Sequence, residues 1–269
     1  TRLWPQSRKK FPKQFVKLFK DNSLIDLTLN RLSKIKRKSP PLIITNDEYR
    51  FYVQDALKKT KMQGSCVLEP FAKNTTAAIY LAAKLSSENE DLLILPSDHF
   101  VKDEENFINA LIKASKRENK NNWVIFGEKP KYPATGFGYI QLDHNSNDPS
   151  FYKVLKFEEK PDLKKANFFI NNNFLWNCGI FMGNKKIIIH SIKKHAPKVA
   201  VACDEVLKSK FKKTNPNDVT FDRTMFEKIP SISIDYSVME KEKKIICYPL
   251  DCGWNDIGSW DGLSKVVKK

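Results

Sequence analysis

At 269 residues, 41% apolar and 12% aromatic, the chain has the mass for one large α/β domain, or one domain with a small appendage. It holds no run of 18 uninterrupted apolar residues and no basic-then-apolar leader pattern, so neither a transmembrane helix nor a secretory signal is expected. The formal net charge of +16 comes mostly from Lys scattered among Asn, as in 116–122 and 208–213. Arg is scarce and forms no stripe, which argues against a nucleic-acid reader and for a solvated surface that draws anions.

Strand and helix signals alternate along the chain. Residues 42–45 form a short β run, Asn46-Asp47 an N-cap, and the next helix carries Phe51, Val53, Ala56 and Leu57 on one face. Residues 67–70 end a second strand, and Asn74 or Thr75 then caps a helix across 77–85. A third strand at 92–95, a helix at 104–116 and a fourth strand at 123–126 complete a β-α-β-α order, which predicts a largely parallel, doubly wound sheet. Past Pro130 the pattern changes to a hairpin-like insertion, with strands at 139–142 and 154–157 around a polar turn at 143–150. Helices return at 163–170, 185–194 and 199–207, and 208–218 is read as a flexible loop. The five cysteines (Cys66, Cys178, Cys203, Cys247, Cys252) form no CxxC pair, and their odd number argues against a disulfide framework; a reducing cytoplasm is the expected compartment.

Two acidic clusters stand at the ends of apolar runs. Leu92-Leu93-Ile94-Leu95-Pro96-Ser97-Asp98-His99 stops a strand pattern at Ser-Asp, the place where ligands of open α/β sheets bind. Cys252-Gly253-Trp254-Asn255-Asp256-Ile257-Gly258 carries a second Asp in a segment stiffened by Trp and freed by Gly. Asp98 and Asp256, meeting across a cleft, would hold a hard divalent cation against phosphate oxygens. Thr1-Arg2-Leu3-Trp4-Pro5 and Pro12-Lys13-Gln14 bring positive charge suited to an anionic substrate. Thr135-Gly136-Phe137-Gly138-Tyr139 would let main chain press against a ligand. In Trp176-Asn177-Cys178-Gly179 an amide sits among apolar neighbours, where a sugar hydroxyl would satisfy it. Glu158-Glu159-Lys160-Pro161 ends a strand with adjacent opposite charges. Each motif also has a structural reading, as tight turn, satisfied core amide or surface ion pair; their joint occurrence favours a site. The four His (99, 144, 190, 195) show no triad-like spacing.

Taken in order, TRLWPQSR, FPKQF, EPFAKNTTAAI, LPSDH, TGFGYI, FEEKP, LWNCGIF, SIDYSVMEK and GWNDIGSW make the chain resemble the bacterial mannose-1-phosphate guanylyltransferases, or GDP-mannose pyrophosphorylases, over about residues 1–263. The resemblance implies a Rossmann-like nucleotidyltransferase α/β fold with a mixed, mostly parallel sheet flanked by helices. It implies a single catalytic domain over 1–269. The match begins inside the family's signature loop, past its first strand and Gly-rich half, and residues 1–269 include no complete β-helical or cupin domain. Cys178 and Asn255 stand where the family usually has Ser.

The resemblance also distributes roles. Thr1, Arg2 and Lys13 would meet the phosphates of GTP, with Glu69, Asn74, Thr75 and Ser97 in the nucleotide site. Asp98 and Asp256 would bind Mg2+. Gly136, Glu159 and Asn177 would hold the mannose hydroxyls, and Lys160 the sugar phosphate. Arg2, Lys13, Asp98, Lys160 and Asp256 make the catalytic set. Asp235 in SIDYSVMEK receives no chemical role, and packing is its default. GTP and mannose 1-phosphate are the implied partners, with no nucleic acid or membrane, and the resemblance allows a homodimer. The implied reaction is in-line attack of the sugar phosphate on the α-phosphorus of GTP. The alternatives are another sugar-1-phosphate nucleotidyltransferase with a different base or sugar, or a non-catalytic nucleotide-sugar sensor on the same fold.

Overall fold

The computed structural model describes residues 2–145, 148, 150–209 and 218–266. Its architecture follows from the strand Trp123–Glu128, whose successive side chains are all buried. Trp123 and Ile125 enter one core with Tyr80, Ile188, Ile192 and Cys203. Val124 and Phe126 enter another with Phe107, Leu111, Phe169 and Trp176. A strand buried on both faces lies in the middle of a three-layer stack. Each fully buried large side chain contributes roughly 1.5–3 kcal/mol to holding those layers together. Helices Asn74–Leu85, Lys185–His195 and Pro197–Lys208 cover one face. Glu104–Ser115 and Leu163–Asn171 cover the other.

The main sheet has six strands in the order Asp91–Ile94, Leu175–Asn184, Trp123–Glu128, Ile245–Leu250, Tyr152–Glu159 and Gly138–Asp143. Trp123–Glu128 and Ile245–Leu250 pair in parallel, in register from Trp123 with Ile245 to Glu128 with Leu250. The other pairings are antiparallel: Leu175–Asn184 runs against both Asp91–Ile94 and Trp123–Glu128, and Tyr152–Glu159 against both Ile245–Leu250 and Gly138–Asp143, so the sheet is mixed with one parallel pair among the described residues. Leu175–Asn184 also pairs at its start, through Leu175 and Trp176, with Ile140 and Tyr139. A register shift between Asn177 and Phe181, with Gly179 at φ 63°, lets it turn from one neighbour to the other. The expected hairpin is present as Gly138–Asp143 and Tyr152–Glu159.

A second, all-parallel sheet joins Leu42–Asn46, Ser65–Glu69 and Asp218–Thr220, with Ser65–Glu69 in the middle. Cys66 and Leu68 pack under Phe15, Ile25, Leu29 and Val53. Helix starts follow side-chain chemistry in several places: Ser23 and Asp26 form a reciprocal capping box, and Asp103 and Asp162 cap the helices after them. One cap differs from expectation. The helix at 77–85 begins at Asn74, whose φ is 68°, and neither Asn74 nor Thr75 caps it; the Thr75 hydroxyl instead accepts from the Ile234 N–H at 2.8 Å. Of the loop expected at 208–218, residues 210–217 lie outside the described residues. All five cysteines are buried free thiols. Among the described residues, no helix is long and apolar enough to cross a membrane.

Candidate active site

The two acidic clusters, separated by more than half the chain, meet. Two devices bring them together. The short strands Phe100–Val101 and Trp254–Asn255 pair antiparallel, Asn255 opposite Phe100, which sets the residues just beyond them side by side. Leu3 and Ile257, both fully buried, pack in one small cluster with Leu24 and Leu263, which seats their neighbours Arg2 and Asp256 together. Arg2 Nη1 lies 3.1 Å from Asp256 Oδ2. Lys13 Nζ lies 3.1 Å from Asp98 Oδ2, and also donates to the main-chain carbonyls of Asp256 and, at 3.3 Å, Ile257. One buried ammonium thus bridges the two loops. Gly258 leaves the Arg2–Asp256 pair its room: a side-chain carbon on it would sit 2.7 Å from Asp256 Oδ2 and 2.9 Å from Arg2 Nη1. Ile257 holds φ at 47°, a costly value for a β-branched residue, with its N–H on Asn255 Oδ1 at 2.7 Å.

His99 orients the first carboxylate. Its Nδ1 accepts from Trp254 Nε1–H at 3.0 Å, which places its proton on Nε2, 3.7 Å from Asp98 Oδ1. Burial lowers the pKa of His99, so the imidazole stays neutral despite Asp98 beside it. Burial alone would raise the Asp98 carboxyl, but the cationic Lys13 and Arg2 beside it hold it below the usual range.

A second polar cluster adjoins the first. A side-chain carbon on Gly179 would lie 3.7 Å from both His99 Cε1 and Pro96 Cγ, so the bend of Leu175–Asn184 touches the Asp98 loop. Asn177, buried just before that bend, donates from Nδ2 to Asp235 Oδ1 at 3.0 Å and accepts from the Gly179 N–H at 3.1 Å. Glu159 lies beside them and pairs with Lys160 Nζ at 3.1 Å. Its main-chain N–H donates to Glu240 Oε1 at 3.1 Å. Gly138 leaves the room for this: a carbon there would sit 2.5 Å from Glu159 Oε2. Burial raises the pKa of both Asp235 and Glu159, and Asp235 raises Glu159 further. Lys160, exposed at φ 49°, is raised by Glu159, Tyr236 and Asp235 against its own desolvation.

The residues expected at the nucleotide are dispersed more widely. Glu69 ends the central strand of the small sheet, buried, with Oε1 unpartnered; burial pushes its pKa up to about 7. Asn74 and Thr75 are exposed at the helix start. Ser97 is half-buried in the turn that leads to Asp98. Gly136 is exposed and a carbon on it would meet nothing within 4 Å, so the crowded glycine of its motif is Gly138. Thr1 lies outside the described residues.

Sequence reasoning missed Asp235, which it left to packing. It lies in a short π-helical turn over Asp235–Met239 and bonds directly to Asn177. A Ser-Ile-Asp segment has no periodicity that points at a pocket; its only signal was its place in the family pattern.

The chain matches the family model described as nucleotidyl transferase over residues 1–269. It is 36% identical over 282 residues to mannose-1-phosphate guanylyltransferase 2 of Escherichia coli O157:H7, covering 100% of this chain and spanning 58% of that relative's length. A solved structure described as mannose-6-phosphate isomerase from Helicobacter pylori superposes with a TM-score of 0.83 at 31% identity, covering 94% of this chain and 97% of that one. Another, described as mannose-1-phosphate geranyltransferase from Thermus thermophilus, gives a TM-score of 0.85 at 28% identity, over 100% of this chain and 76% of that one. With its layered fold and its paired acidic loops, the chain belongs to the nucleotidyl transferase family.

Proposed function

We propose that this domain transfers GMP from GTP to mannose 1-phosphate, yielding GDP-mannose and pyrophosphate, with Mg2+ as the metal. The observation that carries this is the convergence of Asp98 and Asp256 with Arg2 and Lys13, next to a polar cluster of Glu159, Asn177 and Asp235. The donor set fits the ion. Mg2+ is typically held by one or two carboxylates while substrate phosphates and water complete its shell, a share that two Asp side chains can supply. Asp98 and Asp256 would hold it, and when bound it would neutralise phosphate charge.

The chain's own groups position and neutralise. The sugar phosphate oxygen is already anionic, so no general base is needed, in keeping with a neutral His99 engaged by Trp254. That oxygen forms a bond to the α-phosphorus as the bond to the bridging α,β-oxygen breaks, and pyrophosphate leaves with the electron pair. Arg2, with its side chain 59% exposed, would swing from Asp256 to the departing phosphates. Lys13 is held by two carbonyls and supplies a fixed charge beside them. Lys160 at the rim would meet the sugar phosphate. Glu159, Asn177 and Asp235 offer both donors and acceptors to the sugar hydroxyls. The five buried thiols suit a reducing, cytoplasmic setting.

The test is pyrophosphate release at fixed mannose 1-phosphate with GTP, dTTP, UTP or ATP, with Mg2+ and after chelation. GTP is expected to be used best, and chelation to stop release. Preference for another nucleotide would reassign the base, and tight binding of GDP-mannose without release would mark a sensor.

A further inference from the structure

Glu128 has no part in the reaction above, yet it is a carboxylate only 3% exposed at the carboxyl end of the central strand. Its Oε2 accepts from the Cys252 N–H at 3.3 Å and its Oε1 from the Gly253 N–H at 3.2 Å. The Cys252 thiol lies 3.6 Å from Oε2. The other side of Cys252 is gripped as well. Its carbonyl accepts from the N–H groups of Lys102 and Asp103 at 3.1 and 2.9 Å. Gly253 turns the chain at φ 64°, pressed against Lys102, where a side-chain carbon would come within 2.9 Å of Cβ. The Cys252-Gly253 turn is therefore a splint. It ties the end of the central strand to the segment that follows Asp98, and three residues later the chain reaches Asp256.

We propose that Glu128 is a positioning residue that sets the Asp256 loop in register against the Asp98 loop, a role that rests on the proposed two-carboxylate metal site. It acts through backbone alone. Glu128 holds Cys252 and Gly253; Trp254 and Asn255 then ladder onto Val101 and Phe100; Asp256 follows beside Arg2 and Lys13. The residue type follows from the donors it meets. Two adjacent N–H groups need two acceptor oxygens, and a carboxylate accepts on both. A glutamine would turn its own NH2 toward one of them. An apolar residue would leave two buried N–H groups orphaned. Burying a carboxylate is costly and raises the pKa of Glu128, and these bonds offset part of that cost.

Glu128→Gln and Glu128→Ile test the proposal beside the wild type, with two readouts independent of turnover. The first is amide hydrogen exchange across 252–258. The second is Mn2+ binding followed by electron paramagnetic resonance with GTP present. In the wild type, the Cys252 and Gly253 amides are expected to be as protected as strand amides. In the Gln variant the 252–258 segment should exchange about tenfold faster while 175–184 is unchanged. Mn2+ affinity should fall about tenfold, with no change in KM for the sugar phosphate at saturating metal. The proposal is overturned if wild-type Cys252 and Gly253 exchange like an exposed loop, a result that decides even if neither variant folds. It is equally overturned if exchange rises uniformly through the chain, or if Mn2+ affinity is untouched. A wild type that binds no Mn2+ would sink the metal site itself, while the exchange data would still judge the splint.

Discussion

The two adjoining polar clusters use the same residue types to opposite electrostatic ends. Around Asp98 and Asp256, each carboxylate faces a cation, and Asp98 is held below its usual pKa by Lys13 and Arg2 despite its burial. Around Asn177, burial raises both Asp235 and Glu159, and Glu159 is raised although Lys160 pairs with it at 3.1 Å. Cations within reach of a carboxylate preserve its full charge; a carboxylate neighbour and a desolvated site erode it. The first arrangement suits a metal and phosphates. The second suits hydroxyl groups, which exchange hydrogen bonds with a carboxyl in either protonation state. What separates the two ends is whether nearby cations outweigh the burial of the carboxylates.

The comparison breaks most visibly at the charged end. Asp98→Asn and Asp256→Asn should each lower kcat for pyrophosphate release about 10²–10³-fold, with circular dichroism unchanged. Near-normal turnover in both would remove the metal assignment. At the sugar end the effect should be smaller and of another kind. Asn177→Ala deletes the bonds to Asp235 and Gly179 and should raise KM for mannose 1-phosphate about tenfold, with the Mg2+ dependence unaltered. A shift in metal dependence instead would merge the two clusters into one.

Glu69 supplies a pH test outside both clusters. Its carboxyl is raised from 4.5 to about 7, so between those values the unfolded chain gives up a proton that the folded chain keeps. Stability should therefore fall as pH rises through that window, by on the order of 3 kcal/mol. Glu69→Gln should flatten this part of a Tm-against-pH curve; an unchanged slope would place the titration elsewhere. The smallest effect belongs to Arg2. Its ion pair with Asp256 is largely solvated on the Arg side, so Arg2→Ala should change unfolding free energy by less than about 1 kcal/mol in urea melts. A larger loss would mean that the pair holds the loop rather than serving substrate.

Much of the scaffold was legible because its signals are local. Strands at Leu42–Asn46 and Trp123–Glu128, the helix Glu104–Ser115 and the hairpin at 138–159 follow from periodicity and turn chemistry within short windows. The insertion of Leu175–Asn184 between Asp91–Ile94 and Trp123–Glu128 did not, because an apolar strand carries no mark of its direction. Asp235 and Glu128 were missed for a related reason. Their partners lie 58 and 124 residues away, and nothing in either neighbourhood names them. The caps expected at Asn74 or Thr75 are not made: Asn74 takes φ 68° and its Oδ1 accepts from the adjacent Thr75 N–H at 2.9 Å, while the Thr75 hydroxyl accepts from Ile234 across the fold.

By itself, then, the order of residues determined the layered α/β scaffold and which acidic and basic side chains stand at strand ends, since alternation, Gly and Pro act over a few residues. Only the tertiary structure decided that Lys13 would bridge the Asp98 carboxylate and the Asp256 carbonyl, that a bend at Gly179 would carry Asn177 to Asp235, and that Glu128 would face the Cys252 turn. These are contacts between distant segments, set by how buried faces such as Leu3 and Ile257 pack, and packing partners are chosen by the whole fold rather than by neighbours in the chain.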